Sequence, residues 1–136
     1  MRNLQLSLKK KWFEMTKAGI KTEDYREITP YWVKRLVWRF RELDYLQFEE
    51  MIIHLQNPLQ YFNSMNELER YWNIEIGHFT QNIMTLGYPK SGDAERILKI
   101  EHKGIEIRIG NPDWGAEPGK LYFVIKHGNL LQTTNK

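Results

Sequence analysis

The densest run of reactive side chains in this sequence is residues 19–27, GIKTEDYRE, where a lysine, a threonine, acids, a tyrosine and an arginine follow a glycine. A lysine next to carboxylates can do two kinds of work. Lowered in pKa by burial it serves as a base with a carboxylate partner, and kept charged by the acids it holds an anion. Lys21 is therefore the candidate base, with Asp24 or Glu101 as its carboxylate partner. Lys9, Lys10, Lys11, Lys21 and Arg26 are candidate phosphate contacts, and Tyr25, Tyr88 and Trp114 are candidate surfaces for stacking a base. A solvated edge strand with cross-strand ion pairs would use the same residue types.

The surrounding pattern predicts the elements that must position these groups. Leu4, Leu6 and Leu8 alternate with polar residues as in a half-buried strand, and a helix of about ten residues follows to Lys17. Gly19 predicts the helix stop. An extended chain beyond it puts Lys21, Glu23 and Tyr25 on one face and Thr22, Asp24 and Arg26 on the other. Thr29-Pro30 is a helix start, with threonine as N-cap and proline at the first helical position, and the apolar spacing of Val33, Leu36, Val37 and Phe40 carries that helix to about Leu43. Lys9, Lys10 and Lys11 lie at a helix N-terminus, where cations oppose the macrodipole, and an anion beside them would relieve the conflict.

Residues 44–72 read as a separate acidic, helical unit. Phe48, Met51, Ile52 and Leu55 form an apolar stripe, Asn57-Pro58 breaks it, and Ser64-x-x-Glu67 is a capping box. From Ile74 onward strands dominate: 80–86, then a polar turn at 90–93, then 96–109, whose apolar parity reverses at Gly104 and so predicts a bulge there. Residues 110–120 form a Gly/Pro loop holding Trp114, 121–126 the last strand, and Leu130 and Leu131 an added edge before a frayed tail.

The length of 136 residues suits one domain. Cysteine is absent, so disulfides and thiolate metal sites are excluded. His54, His78, His102 and His127 are isolated and lack ligand spacing, which predicts no metal, and no cofactor motif occurs. No apolar run has the length of a membrane span or signal, and the expectation is a soluble, cytoplasmic protein without membrane attachment. The net charge of +3 hides a division: residues 1–41 carry +7, residues 42–79 carry −6, and the rest +2. A basic opening third points to an anionic partner, with nucleic acid the commonest.

These segments together carry a resemblance. LSLKKKWFEMTKAGIKTEDYRE (residues 6–27) with ITPYWVKRL, and downstream LGYPKSG, KIEHKGIEI, GNPDWGAEPGK and YFVIKHG, resemble the phage and bacterial subtype of the ASCH domain family. The resemblance implies an α+β fold similar to the PUA domain, a small mixed β-barrel with flanking helices, in one domain with residues 45–79 as a helical insertion. It also implies a basic cleft beside the G-x-K-T strand that takes RNA or a nucleotide-like ligand. Some members of that family are amidohydrolases acting on acetylated cytidine and others are ribonucleases. Lys21 matches the proposed catalytic lysine of the amidohydrolases, while the position of their threonine is Asp24 here. The expectation is an RNA- or nucleotide-binding module. The alternatives are a small amidohydrolase on a modified nucleoside and a protein-interaction adaptor that uses residues 45–79.

Overall fold

The structure, a computed structural model, describes residues 2–87 and 94–132. The fold is mixed α+β. In chain order the elements are β1 (Asn3–Leu8), α1 (Lys10–Lys17), β2 (Glu23–Arg26), α2 (Pro30–Leu36), β3 (Val37–Arg39), α3 (Tyr45–Gln56), α4 (Pro58–Tyr61), α5 (Met65–Trp72), β4 (Ile74–Ile76), β5 (Gln81–Leu86), β6 (Ile97–Ile109) and β7 (Leu121–Gln132), with single 3₁₀ turns before β6 and β7. Five strands form one sheet in the order β1-β5-β6-β7-β2, and β3 pairs with β4 in a second. The chain divides into two compact units. The first comprises the described parts of 1–24, 78–104 and 125–136, and the second comprises 25–77 and 105–124. Among the described residues no helix is long and apolar enough to cross a membrane.

In the first unit β1 runs parallel to β5, with Leu4 opposite Asn82 and Leu6 opposite Met84, and β5 runs antiparallel to β6, with Asn82 opposite Ile100 and Met84 opposite Leu98. Side chains alternate across a pleated strand, so this register stacks Leu4, Leu6, Met84, Leu98 and Ile100 on one face, and all of them are buried. Helix α1 buries Phe13 and Thr16, one turn apart. It ends as the sequence predicts: Gly19 takes φ +77°, and the Ile20 and Lys21 N–H groups both donate to the Met15 carbonyl. Gly104 has φ +113°, so the reversal of apolar parity along β6 falls where the backbone leaves ordinary strand geometry.

The second unit holds the acidic helices. Asp44 caps α3 in a reciprocal box with Gln47, and Ser64 caps α5 through the Glu67 N–H. Thr29 and Pro30 start α2 as expected, but the helix stops at Leu36, well short of Leu43. Val37 is extended and pairs with Ile76, while Arg39 pairs with Ile74. The helical spacing of Val33, Leu36 and Val37 fits either conformation at the last position. β-branched Val37 and aromatic Trp38 favour the strand once a partner is present, and the pairing buries both Val37 and Ile74. Beyond the 110–120 loop β7 is continuous through Gln132, so the expected separate edge at Leu130 and Leu131 is its extension. The predicted turn at 90–93 and the tail after Thr133 lie outside the described residues.

Candidate functional site

Apart from Thr16, whose hydroxyl donates to the Trp12 carbonyl within α1, the polar residues that the first unit buries belong to one chain of contacts. Lys21 is 2 % exposed, and its Nζ donates to Asp24 Oδ1 and to the Glu23 carbonyl at 2.7 Å. Sequence alternation placed Lys21 and Asp24 on opposite faces. They meet because strand geometry begins only at Glu23, which lets the Lys21 side chain fold over the turn onto the carboxylate. On the far side of that carboxylate, His127 Nε2 lies 3.4 Å from Oδ2, close enough to attract without closing a well-aligned hydrogen bond. His127 Nδ1 is 2.8 Å from Asn82 Nδ2, and Asn82 Oδ1 is 2.7 Å from His102 Nδ1.

Four adjacent strands supply this row: Asn82 on β5, His102 on β6, His127 on β7 and Asp24 on β2. Proton positions follow from one fixed point. Asn82 Nδ2 faces the Lys126 carbonyl at 3.3 Å, and a carbonyl only accepts, so the amide nitrogen must be on that side. His127 Nδ1 then accepts from Asn82 and its Nε2–H points at Asp24. His102 Nδ1–H donates to Asn82 Oδ1, leaving a lone pair on His102 Nε2, which is shielded from solvent without a hydrogen-bond partner. The result is an ordered sequence of donors running from His102 through Asn82 and His127 to Asp24, closed by the Lys21 ammonium.

The charges follow from these neighbours. Burial pushes the Asp24 carboxyl up, but the facing His127 imidazole and the Lys21 charge outweigh it, and the net direction is down. Burial, aided by repulsion from His127 and His78, lowers His102 from 6.5 to about 4. At neutral pH the chain therefore holds an ionised carboxylate at one end and a neutral His102 at the other, with the Asn82 amide between them fixing the orientation of the imidazoles.

Both shifts make the fold sensitive to acid. The unfolded chain protonates His102 below 6.5 while the folded chain resists until about 4, so stability is complete above that window and falls as pH drops through it. After solvent screening of a half-buried ring the loss is about 1–2 kcal/mol. The Asp24 contribution is present above the ordinary carboxylate value and disappears at still lower pH, as the folded carboxyl takes its proton. Urea unfolding at pH 7, 5.5 and 4 should show this slope, and His102→Gln should flatten its upper part; an unchanged slope would contradict the buried neutral imidazole.

The other expected site residues are dispersed. Glu101 precedes His102 on β6 and so points to the opposite face, where it pairs with Lys103 at 3.2 Å and accepts from the Asn129 N–H. Those two donors hold its carboxyl below the usual range. Lys9, Lys10 and Lys11 are exposed at the start of α1, where Lys9 gives no side-chain cap and the first turn has no acid. The Lys11 ammonium sits 4.8 Å over the half-buried Trp12 ring. In the second unit, the Tyr25 hydroxyl accepts from the Asn111 N–H at 2.8 Å and its ring packs on Tyr122. The Arg26 guanidinium lies over Trp32 at 5.1 Å, and Trp114 is half-buried in the 3₁₀ turn Pro112–Trp114. Tyr88 lies outside the described residues. No group of three or more His, Cys, Asp or Glu side chains among the described residues could hold a metal ion.

Sequence reading missed Asn82, His102 and His127. A usable signal existed in strand parity: His102 continues the alternation of Leu98 and Ile100, His127 that of Phe123 and Ile125, and Asn82 that of Met84. A polar residue that continues an inward apolar alternation needs a partner inside. No protein-family model, curated protein or solved structure matches the chain.

Proposed function

We propose that the chain is an RNA- or nucleotide-binding module of the ASCH type with a PUA-like fold, in which residues 45–79 are an inserted helical segment. The observation that carries this reading is the start of α1. Three exposed lysines meet an N-terminus whose first N–H groups have neither a capping side chain nor an acid. Unsatisfied helix donors, a positive macrodipole end and clustered ammonium groups all favour an anion, and phosphate is the anion an RNA strand repeats. Trp12 adds an aromatic surface adjacent to them. Titrating the labelled protein with short single-stranded RNA at low and high salt tests the idea. Saturable, salt-sensitive shifts at Lys9, Lys10 and Lys11 are expected, and Lys10→Glu with Lys11→Glu should weaken binding about tenfold or more. No salt-dependent shift in this turn would end the proposal.

A second reading, a small amidohydrolase on a modified nucleoside such as acetylated cytidine, draws support from the His127 imidazole facing the Asp24 carboxylate. In that reading Lys21 holds the Asp24 charge, and the His127 imidazole carries the proton. Incubation with acetylated cytidine should then show turnover that His127→Gln removes, whereas a wild-type protein that leaves the substrate intact refutes it.

A further inference from the structure

The acidic helical segment leaves apolar surface uncovered on one side. In α3, Met51, Ile52 and Leu55 are buried, while Leu46 is 74 % and Ile53 49 % exposed, with Glu50 one turn from each. Seven residues of helix place Leu46 and Ile53 about 10 Å apart on the same side. Glu50 Oε2 lies 3.9 Å from His54 Nε2, and the rings of Tyr61 and Tyr71 lean on the same imidazole, at 4.5 and 6.3 Å between centroids. Both tyrosines remain about half exposed, at 46 % and 58 %. The histidine is fixed in place: its Nδ1 accepts from Trp72 Nε1 at 2.9 Å, so its Nε2–H faces Glu50. Helix geometry sets Glu50 between Leu46 and Ile53 on one side and His54, with its Tyr61 and Tyr71 neighbours, on the other, and exposed large apolar side chains grouped in this way mark a contact surface.

Charge selects the occupant. Residues 42–79 carry −6, which repels nucleic acid and anionic lipid alike. The Glu50 carboxylate, beside an imidazole on which two phenol rings pack, suits an ammonium or guanidinium through ion pairing. We propose that this face of α3 docks an amphipathic helix of a partner protein, bearing leucine-like residues about two turns apart with a lysine or arginine between them. Such a helix would lay its apolar stripe along Leu46 and Ile53 and place its cation at Glu50. This site shares no residue with the lysine cluster of α1, so loss of RNA binding would leave it standing.

The test uses the full chain, isotope-labelled, and a synthetic helical peptide of about five turns carrying leucine and lysine at that spacing, beside the same peptide with glutamate for lysine. Saturable shifts at Leu46, Glu50, Ile53 and Tyr71 are expected with the lysine peptide, and binding about tenfold weaker or worse with the glutamate peptide. Glu50→Lys should invert that preference, and Leu46→Ser should weaken the lysine peptide about tenfold. Both positions are solvent-facing, so an unchanged circular dichroism spectrum shows that the variants fold. Equal affinity for the two peptides, indifference to Glu50→Lys, or shifts confined to other surfaces would overturn the proposal. A dimer by light scattering that Leu46→Ser dissolves would also overturn it, since the occupant would then be a second copy of this chain.

Discussion

Replacing Lys21 with methionine is expected to lower the unfolding free energy by about 3–5 kcal/mol, because it strands a buried carboxylate without its counter-charge. Methionine keeps most of the volume, so the loss reports charge rather than a cavity. Asp24 is enclosed almost as fully as Lys21, and its remaining neighbour, His127, approaches Oδ2 only to 3.4 Å without a well-aligned hydrogen bond. Removing both charges together, as in Lys21→Met with Asp24→Leu, should recover much of the loss, since a buried ion pair is often replaceable by apolar residues at little net cost. Urea denaturation of the two single variants and the double variant measures the coupling. A loss below about 1 kcal/mol for Lys21→Met would mean that the ammonium reaches water and that the pair behaves as a surface bridge.

Asn82→Ala should cost about 2–4 kcal/mol, more than the volume of the side chain explains. Asn82 is fully buried and satisfies groups on three residues at once: the Lys126 carbonyl, His127 Nδ1 and His102 Nδ1. Alanine leaves all of them without this partner. The diagnostic readout is the imidazole nitrogen spectrum. The native protein should show His127 protonated on Nε2 and His102 on Nδ1, and the variant should show exchange between tautomers on both rings. Fixed, unaltered tautomers in the variant would contradict the donor order.

Much of the frame could be read from residue order because local chemistry dictated it. The alternating leucines of β1, the glycine after α1, the Thr29-Pro30 start of α2 and the serine cap of α5 each act within a few residues, and each falls where expected. Residues 37–39 could not be read that way. Their strand conformation depends on Ile74–Ile76, which lie far along the chain, and helical spacing continued through them. The candidate site was half legible for the same reason. Lys21 and Asp24 are three residues apart and could be singled out together. Asn82, His102 and His127 acquire meaning only when β5, β6 and β7 lie side by side. Glu101, the expected carboxylate partner, stands one residue before His102, which in a strand puts it on the other face of the sheet.

The parallel pairing of β1 with β5 also determines when in the life of the chain the first unit can form. Asn3 waits for Gln81, 78 positions later, so at ordinary elongation rates the leucines of β1 leave the ribosome roughly 4–15 seconds ahead of their partner strand. The helices between them, built on short-range contacts, can fold within that interval. Until β5 emerges, the nascent chain displays Leu4, Leu6 and Leu8 as an unpaired apolar edge, the kind of segment that chaperones bind and that aggregates when they do not.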